Sequence, residues 1–171
     1  MTPTSYRVLV MGVSGCGKSL VGRFVAEALE AAFIDGDDHH PAANVAKMAR
    51  GTPLDDSDRQ PWLAALAGLF ERYRRQDESV VIACSALKKR YRDRLRSGDS
   101  GLKILFLEGS SELLQTRLAA REDHFFKGNR MLASQLADLE APGAEEAVTL
   151  SIALAPGAIA ERFVARLRDE S

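Results

Sequence analysis

The chain has 171 residues, 46% of them apolar and 27% charged, with a formal net charge of −1. That length allows one domain of ordinary size with a sizeable core, and the composition excludes a disordered chain. With 23 Lys plus Arg against 24 acidic residues, no global positive field draws the protein to nucleic acid or a membrane surface, although a focused basic site stays open to it.

Residues 6–11 (YRVLVM) predict a short buried strand that ends at glycine. Behind it comes GVSGCGKS, Gly12 to Ser19, and from Lys18 the apolar period changes. Leu20, Val21, Phe24, Val25, Ala28 and Leu29 recur at helical spacing and predict a helix over 18–30. AAFI (31–34) reads as a second strand, closed by the polar run DGDDHH. Pro61 suits the start of a helix, PWLAALAGLFERYRR, with Leu63, Leu66, Phe70 and Tyr73 on one face. SVVIACS (79–85) carries the β-branched run Val80, Val81 and Ile82, which suits a strand buried on both faces. A basic helix, KKRYRDRLR, follows. LKILFLEG (102–109) predicts another buried strand, SELLQTRLAARE a helix, VTLSIAL (148–154) a last strand and PGAIAERFVARLRD a closing helix. The stretch 124–147 carries no clear pattern. The alternation predicts one α/β domain over residues 1–171, a three-layer α/β/α sandwich around a parallel sheet of about five strands, with ligands beyond the strands' carboxyl ends.

Gly12, Gly17, Lys18 and Ser19 satisfy GxxxxGK[ST] between a predicted strand and a predicted helix. The glycines let backbone N–H groups converge on an anion, and the next helix start adds its unpaired donors. This assigns Gly12, Val13, Ser14, Gly15, Cys16, Gly17, Lys18 and Ser19 to a nucleoside triphosphate, with Lys18 on the β- and γ-phosphates and Ser19 on Mg²⁺. Cys16 reads either as a small filler or as an oxidation-sensitive thiol. The apolar strand ends in Cys84 and Ser85, without the acidic residue that often holds the metal, so Asp35 becomes the metal-side carboxylate. Asp37, two residues on, is assigned to the acceptor hydroxyl, although the spacing also fits the reverse.

Basic residues after the strands suggest a small anionic acceptor. Arg59 lies beside Asp55, Asp56 and Asp58; Ser85, Lys88 and Arg92 follow the strongest strand. Lys88 and Arg92 are four apart, where like charges repel unless an anion lies near them. Arg117 and Arg121 repeat that spacing ahead of a lid region at about 117–140, whose closure would exclude water and set an arginine against the transferring phosphoryl group. His124 either fixes that cover or packs on Phe125. Pro156 lies where an adenine-contacting loop is expected, or merely starts a helix. No guanine-reading NKxD is present, and the length leaves no room for the second domain of a nucleic-acid motor.

Two cysteines without a CxxC pair predict a reducing compartment, and the first apolar run is too soon broken for a signal peptide, so a cytoplasmic protein is expected. In this order the strings MGVSGCGKS, DGDDHHP, NVAKMARGTPLDDSDRQPWL, CSALKKRYRDRLR, HFF and LASQLADLEAP resemble the gluconokinase family of the thermoresistant, P-loop type, over residues 6–168. The resemblance implies a P-loop nucleoside triphosphate hydrolase fold like that of shikimate kinase. It also implies Mg²⁺-dependent transfer from ATP to the 6-hydroxyl of D-gluconate, and a cytosolic homodimer. It puts Asp37 on the sugar-acid hydroxyl, Arg59, Lys88 and Arg92 near gluconate, and Arg117 and Arg121 on the lid side. Cys16 and the charged KGNR (127–130) depart from the family pattern. The rival expectations are another small-molecule kinase, such as a shikimate kinase-like enzyme, and a regulatory protein that binds ATP without transferring it.

Overall fold

The computed structural model describes residues 4–13, 15–119 and 125–170. Five strands, β1 (Arg7–Met11), β2 (Ala32–Asp35), β3 (Val80–Ala83), β4 (Lys103–Glu108) and β5 (Val148–Ser151), form one parallel sheet in the order β2-β3-β1-β4-β5. The three central strands are buried on both faces, which is why each reads as an unbroken apolar run. Alternation within a strand divides the core. Val8 and Val10 join Val21, Val25 and Phe163 on one face, while Leu9 and Met11 join Trp62, Leu66 and Phe70 on the other.

Helices α1 (Lys18–Leu29), α5 (Ser111–Ala119), α6 (Phe125–Asp138) and α7 (Pro156–Glu170) contribute to the first of these cores; α3 (Asp56–Arg75) and α4 (Lys89–Arg96) build the second. The expected three-layer sandwich is therefore present, and all five strand ends open on one edge.

Besides α6, which occupies the stretch without a clear sequence pattern, two features depart from the sequence expectation. α3 starts at Asp56, five residues before Pro61. Asp55 and Asp58 close a reciprocal cap, the Asp58 N–H donating to Asp55 Oδ1 at 2.8 Å and the Asp55 N–H to Asp58 Oδ2 at 3.0 Å. This cap, with Trp62, Leu63, Leu66 and Phe70 buried behind it, outweighs the one ladder bond that an interior proline removes. The second departure is α2 (Ala42–Ala49), in a stretch with no expected element. Its buried residue is Asn44, whereas Val45 is 52% exposed, so hydrophobic periodicity could not reveal it.

Gly36 follows β2 and opens a 3-10 turn, Gly36–His39. Its need for glycine is one of space: a Cβ there would lie 2.6 Å from the Ala83 carbonyl oxygen. Gly36→Ala should therefore lower stability by about 1–3 kcal/mol. An unchanged midpoint in thermal unfolding would refute this packing account.

Candidate functional site

The phosphate loop leaves β1 at its buried end. Gly15 and Gly17 have φ of 85° and 88°, left-handed angles that side chains resist, and Gly17 is the N-cap of α1. Gly17 has no side chain with which to cap this helix, and its first turn holds no acidic residue. Its first N–H groups are thus left for an anion. The Lys18 ammonium folds back on the loop, donating to the Val13 carbonyl at 3.1 Å, with Cys16 Sγ 3.9 Å away. Cys16 is 1% exposed and fills the loop's underside. Gly12 donates through its N–H to the Ser85 carbonyl at 3.4 Å, tying the loop to the end of β3. Ser14 lies outside the described residues.

Across the strand ends, Ser19 donates its hydroxyl to Asp35 Oδ2 at 3.2 Å, and Asp35 Oδ1 accepts the Asp37 N–H at 3.0 Å. Among the described residues no group of three or more His, Cys, Asp and Glu gathers as a metal cage. The Ser19–Asp35 pair suits Mg²⁺ nevertheless, since that ion keeps most of its shell as water and substrate phosphate and takes one or two hard protein oxygens. Asp37 is open to solvent but enclosed by the cleft walls. Partial desolvation pushes its carboxyl above the usual range, the Lys18 ammonium pulls it down, and the carboxylates of Asp35 and Asp38 add to the rise.

Beyond Asp37, His40 stacks on Trp62, ring centroids 4.1 Å apart, and Trp62 Nε1–H donates to the Gly36 carbonyl at 2.7 Å. The Asn44 amide NH₂ donates to the Asp58 carbonyl at 2.8 Å and lies 3.1 Å from His40 Nδ1. Burial and the Arg59 charge both hold the His40 imidazole below its usual range.

The β3 end and the start of α3 meet in a basic cluster around Tyr91. The Tyr91 hydroxyl accepts from Arg59 Nη1 at 3.1 Å and donates to Asp56. Arg59, Lys88 and Arg90 lie 5.4, 5.8 and 5.6 Å from its ring. Asp56 also accepts from Arg90 and sits 3.7 Å from the Lys88 ammonium. Three cations thus share one carboxylate. Tyr91 first, then the cations, hold the Asp56 carboxyl below its usual range. Tyr91, Trp62 and His40 are given no role by the sequence, and Asp56 only that of a neighbour to Arg59, although all four lie inside the quoted motifs.

Arg92 corrects an expectation. It is 1% exposed, and all five of its donors are engaged within the protein. No donor is left for an acceptor molecule. Arg117 reaches from α5 to the Ile152 carbonyl at 2.5 Å, and its Nη1 lies 4.0 Å from where a Cβ on Gly17 would stand. It therefore spans the phosphate loop and the β5–α7 loop, whose far end is Pro156 at the start of α7. Arg121 and His124 lie outside the described residues.

Residues 8–142 match the AAA domain family. The chain is 48% identical over 144 residues to the thermoresistant gluconokinase of Escherichia coli (strain K12), covering 84% of this chain and 82% of that one. The chain belongs to the gluconokinase family. Solved structures agree with this placement. A gluconokinase from Sinorhizobium meliloti 1021 superposes with a TM-score of 0.83 at 40% identity, covering 99% of both chains. An unliganded sugar kinase from a Janibacter strain gives a TM-score of 0.89 at 39% identity, over 96% of this chain and 95% of that one. Within the gluconokinase family the parallel five-stranded sheet and phosphate loop are thus an expected frame, and the carboxyl and cation clusters are what this frame brings to one edge.

Proposed function

We propose that this chain transfers the γ-phosphoryl group of ATP to the 6-hydroxyl of D-gluconate, giving 6-phospho-D-gluconate and ADP. The observation that carries this reading is that one sheet edge brings together a phosphate loop, the Asp35–Asp37 turn joined to it through Ser19, and the cation cluster around Tyr91 that follows the neighbouring strand β3. Such a cluster has positive charge to spare for an acid group on the acceptor. The loop amides and α1 start receive the phosphate tail, and Lys18 leaves the Val13 carbonyl for the β- and γ-oxygens. Asp37 orients the attacking hydroxyl and takes its proton, a task that its raised carboxyl favours. Arg59 and Lys88 hold the gluconate carboxylate, with Ser85 as a hydroxyl partner beside them. Arg117 and Arg121 offset charge on the phosphoryl group in flight, and Pro156 borders the adenine. Ser19 and Asp35 would hold Mg²⁺, which when bound neutralises the β- and γ-phosphate oxygens.

The wild-type protein, given ATP with gluconate, shikimate or related sugar acids, should release ADP fastest with gluconate. ADP release that ignores the acceptor, or a preference for shikimate, would overturn the reading. The pH profile supplies a second check. A raised carboxyl loses its base form at higher pH than an ordinary one, so the acidic limb of kcat should lie above the usual carboxylate range. Asp38→Asn removes one of the charges that raise Asp37 and should shift that limb to lower pH; an unmoved limb would exclude Asp37 as the titrating base.

We also take the working form to be a cytoplasmic homodimer, as the family resemblance implies. No described helix is long and apolar enough to cross a membrane. Sedimentation should give the dimer mass, and a monomer at assay concentration would refute it.

A further inference from the structure

Arg92 is a buried cation that the proposed chemistry does not touch, and its bonds are unusually directed. Nη1 takes the carbonyls of Ala86 and Leu87 at 2.9 and 3.1 Å. Nη2 takes the Glu140 carbonyl at 2.8 Å and Glu146 Oε1 at 3.3 Å, and Nε takes Glu146 Oε2 at 2.8 Å. Ala86 is fully buried with φ of 46°, a left-handed angle that disfavours any residue with a Cβ. Lys88 stands two residues after this bend and is the N-cap of α4, with no side-chain cap of its own. The Glu140 carboxylate supplies a partner instead, accepting the Lys89 N–H at 2.7 Å, while the Glu140 N–H donates to the Leu87 carbonyl at 2.8 Å. Glu146 is held by Arg96 as well, at 2.8 Å. Burial alone would raise its carboxyl; the bonds from Arg92 and Arg96 outweigh burial and hold it down.

We propose that Arg92 is a positioning residue for the acceptor: it locks the left-handed bend at Ala86, and so aims Lys88, by tying that bend to the segment that returns from α6. A bend with an unfavourable angle persists only where its surroundings over-determine it, and here the determinants are five charge-assisted bonds from one fork. Lysine cannot reproduce them, since its ammonium is a point donor on a flexible stem. The inference rests on the reading that Lys88 meets the acceptor carboxylate. It makes Arg92 act on acceptor affinity while leaving the phosphate loop unaffected, apart from the single Gly12–Ser85 link.

The test compares wild type, Arg92→Lys, Glu146→Gln and the double variant Arg92→Lys/Ala86→Gly, assayed well below their melting temperatures. Arg92→Lys should raise the gluconate KM about tenfold, the equivalent of roughly 1.4 kcal/mol. Its ATP KM should stay within about twofold of wild type. Glu146→Gln should change the gluconate KM in the same direction by less, because the fork keeps its carbonyl partners. Glycine adopts the left-handed angle without a Cβ penalty, so the double variant should recover much of the lost acceptor affinity. Hydrogen exchange in Arg92→Lys should speed up at residues 86–89 more than elsewhere in the core. Gluconate and ATP KM rising together, or a lower melting temperature with both KM values unchanged, would overturn the inference. So would a double variant no better than the single. If the wild type turned over a different carboxylated acceptor, the functional reading would fall, and the same KM comparison run with that acceptor would still decide the role of Arg92.

Discussion

Lys18→Ala should lower gluconate-dependent turnover by about 10³-fold, in line with the loss of a positioned charge from a site that stabilises a developing anion. The effect should fall on catalysis with little change in folding. The Lys18 ammonium is partly exposed and bonded to a loop carbonyl, and alanine at the first position of α1 keeps the helix. A melting temperature near that of wild type would therefore accompany the loss. A secondary sign follows from electrostatics. Lys18 holds the Asp37 carboxyl down, so its removal should move the acidic limb of the residual activity to higher pH. Wild-type turnover in Lys18→Ala would exclude the role assigned to the ammonium.

Asp37→Asn should reduce kcat by about 10²–10⁴-fold, the usual contribution of a positioned general base, with ATP affinity almost unchanged. Stability should move in the opposite direction. Asp37 has its carboxyl raised in the folded state, so its ionisation opposes folding, and that cost is present at pH values above the raised value. The asparagine variant carries no such charge and should be at least as stable as wild type near neutral pH. This is the pattern of a site that sacrifices stability for chemistry. A variant that turned over at the wild-type rate would remove Asp37 from the mechanism. One that lost both stability and ATP affinity would show that the side chain supports the turn and not the reaction.

Much of the frame is readable locally. The phosphate loop is defined by glycine, lysine and serine at fixed spacing, and the central strands by apolar runs whose residues face both layers. Ser19, in the first turn of α1, and Asp35, the last residue of β2, are brought within hydrogen-bond reach across the edge where the strands end. α2 shows where such reading stops: its buried residue is polar and its apolar Val45 faces solvent, so the periodic signal is inverted. α3 shows a second limit, because the Asp55–Asp58 cap outranks the more conspicuous Pro61.

Arg92 is the sharpest division between the two levels. Spacing alone puts Lys88 and Arg92 on one side of a helix, which invites an anion between them. Lys88, however, is the N-cap, with φ of −100° and ψ of 144°: its carbonyl accepts the Arg92 N–H, but its extended backbone takes the side chain off the helix face that spacing implies. Arg92 turns inward to Glu146, 54 residues away, a partner that no local pattern could name. The sequence by itself therefore determined the alternation of strands and helices, the anion-binding turn and the residues at each strand end, because these depend on contacts within a few positions along the chain. Tertiary structure alone decided which charged side chains face the cleft and which are consumed inside. Burying a guanidinium requires every donor to find a partner at once, and here those partners come from the bend after β3 and the segment leading into β5.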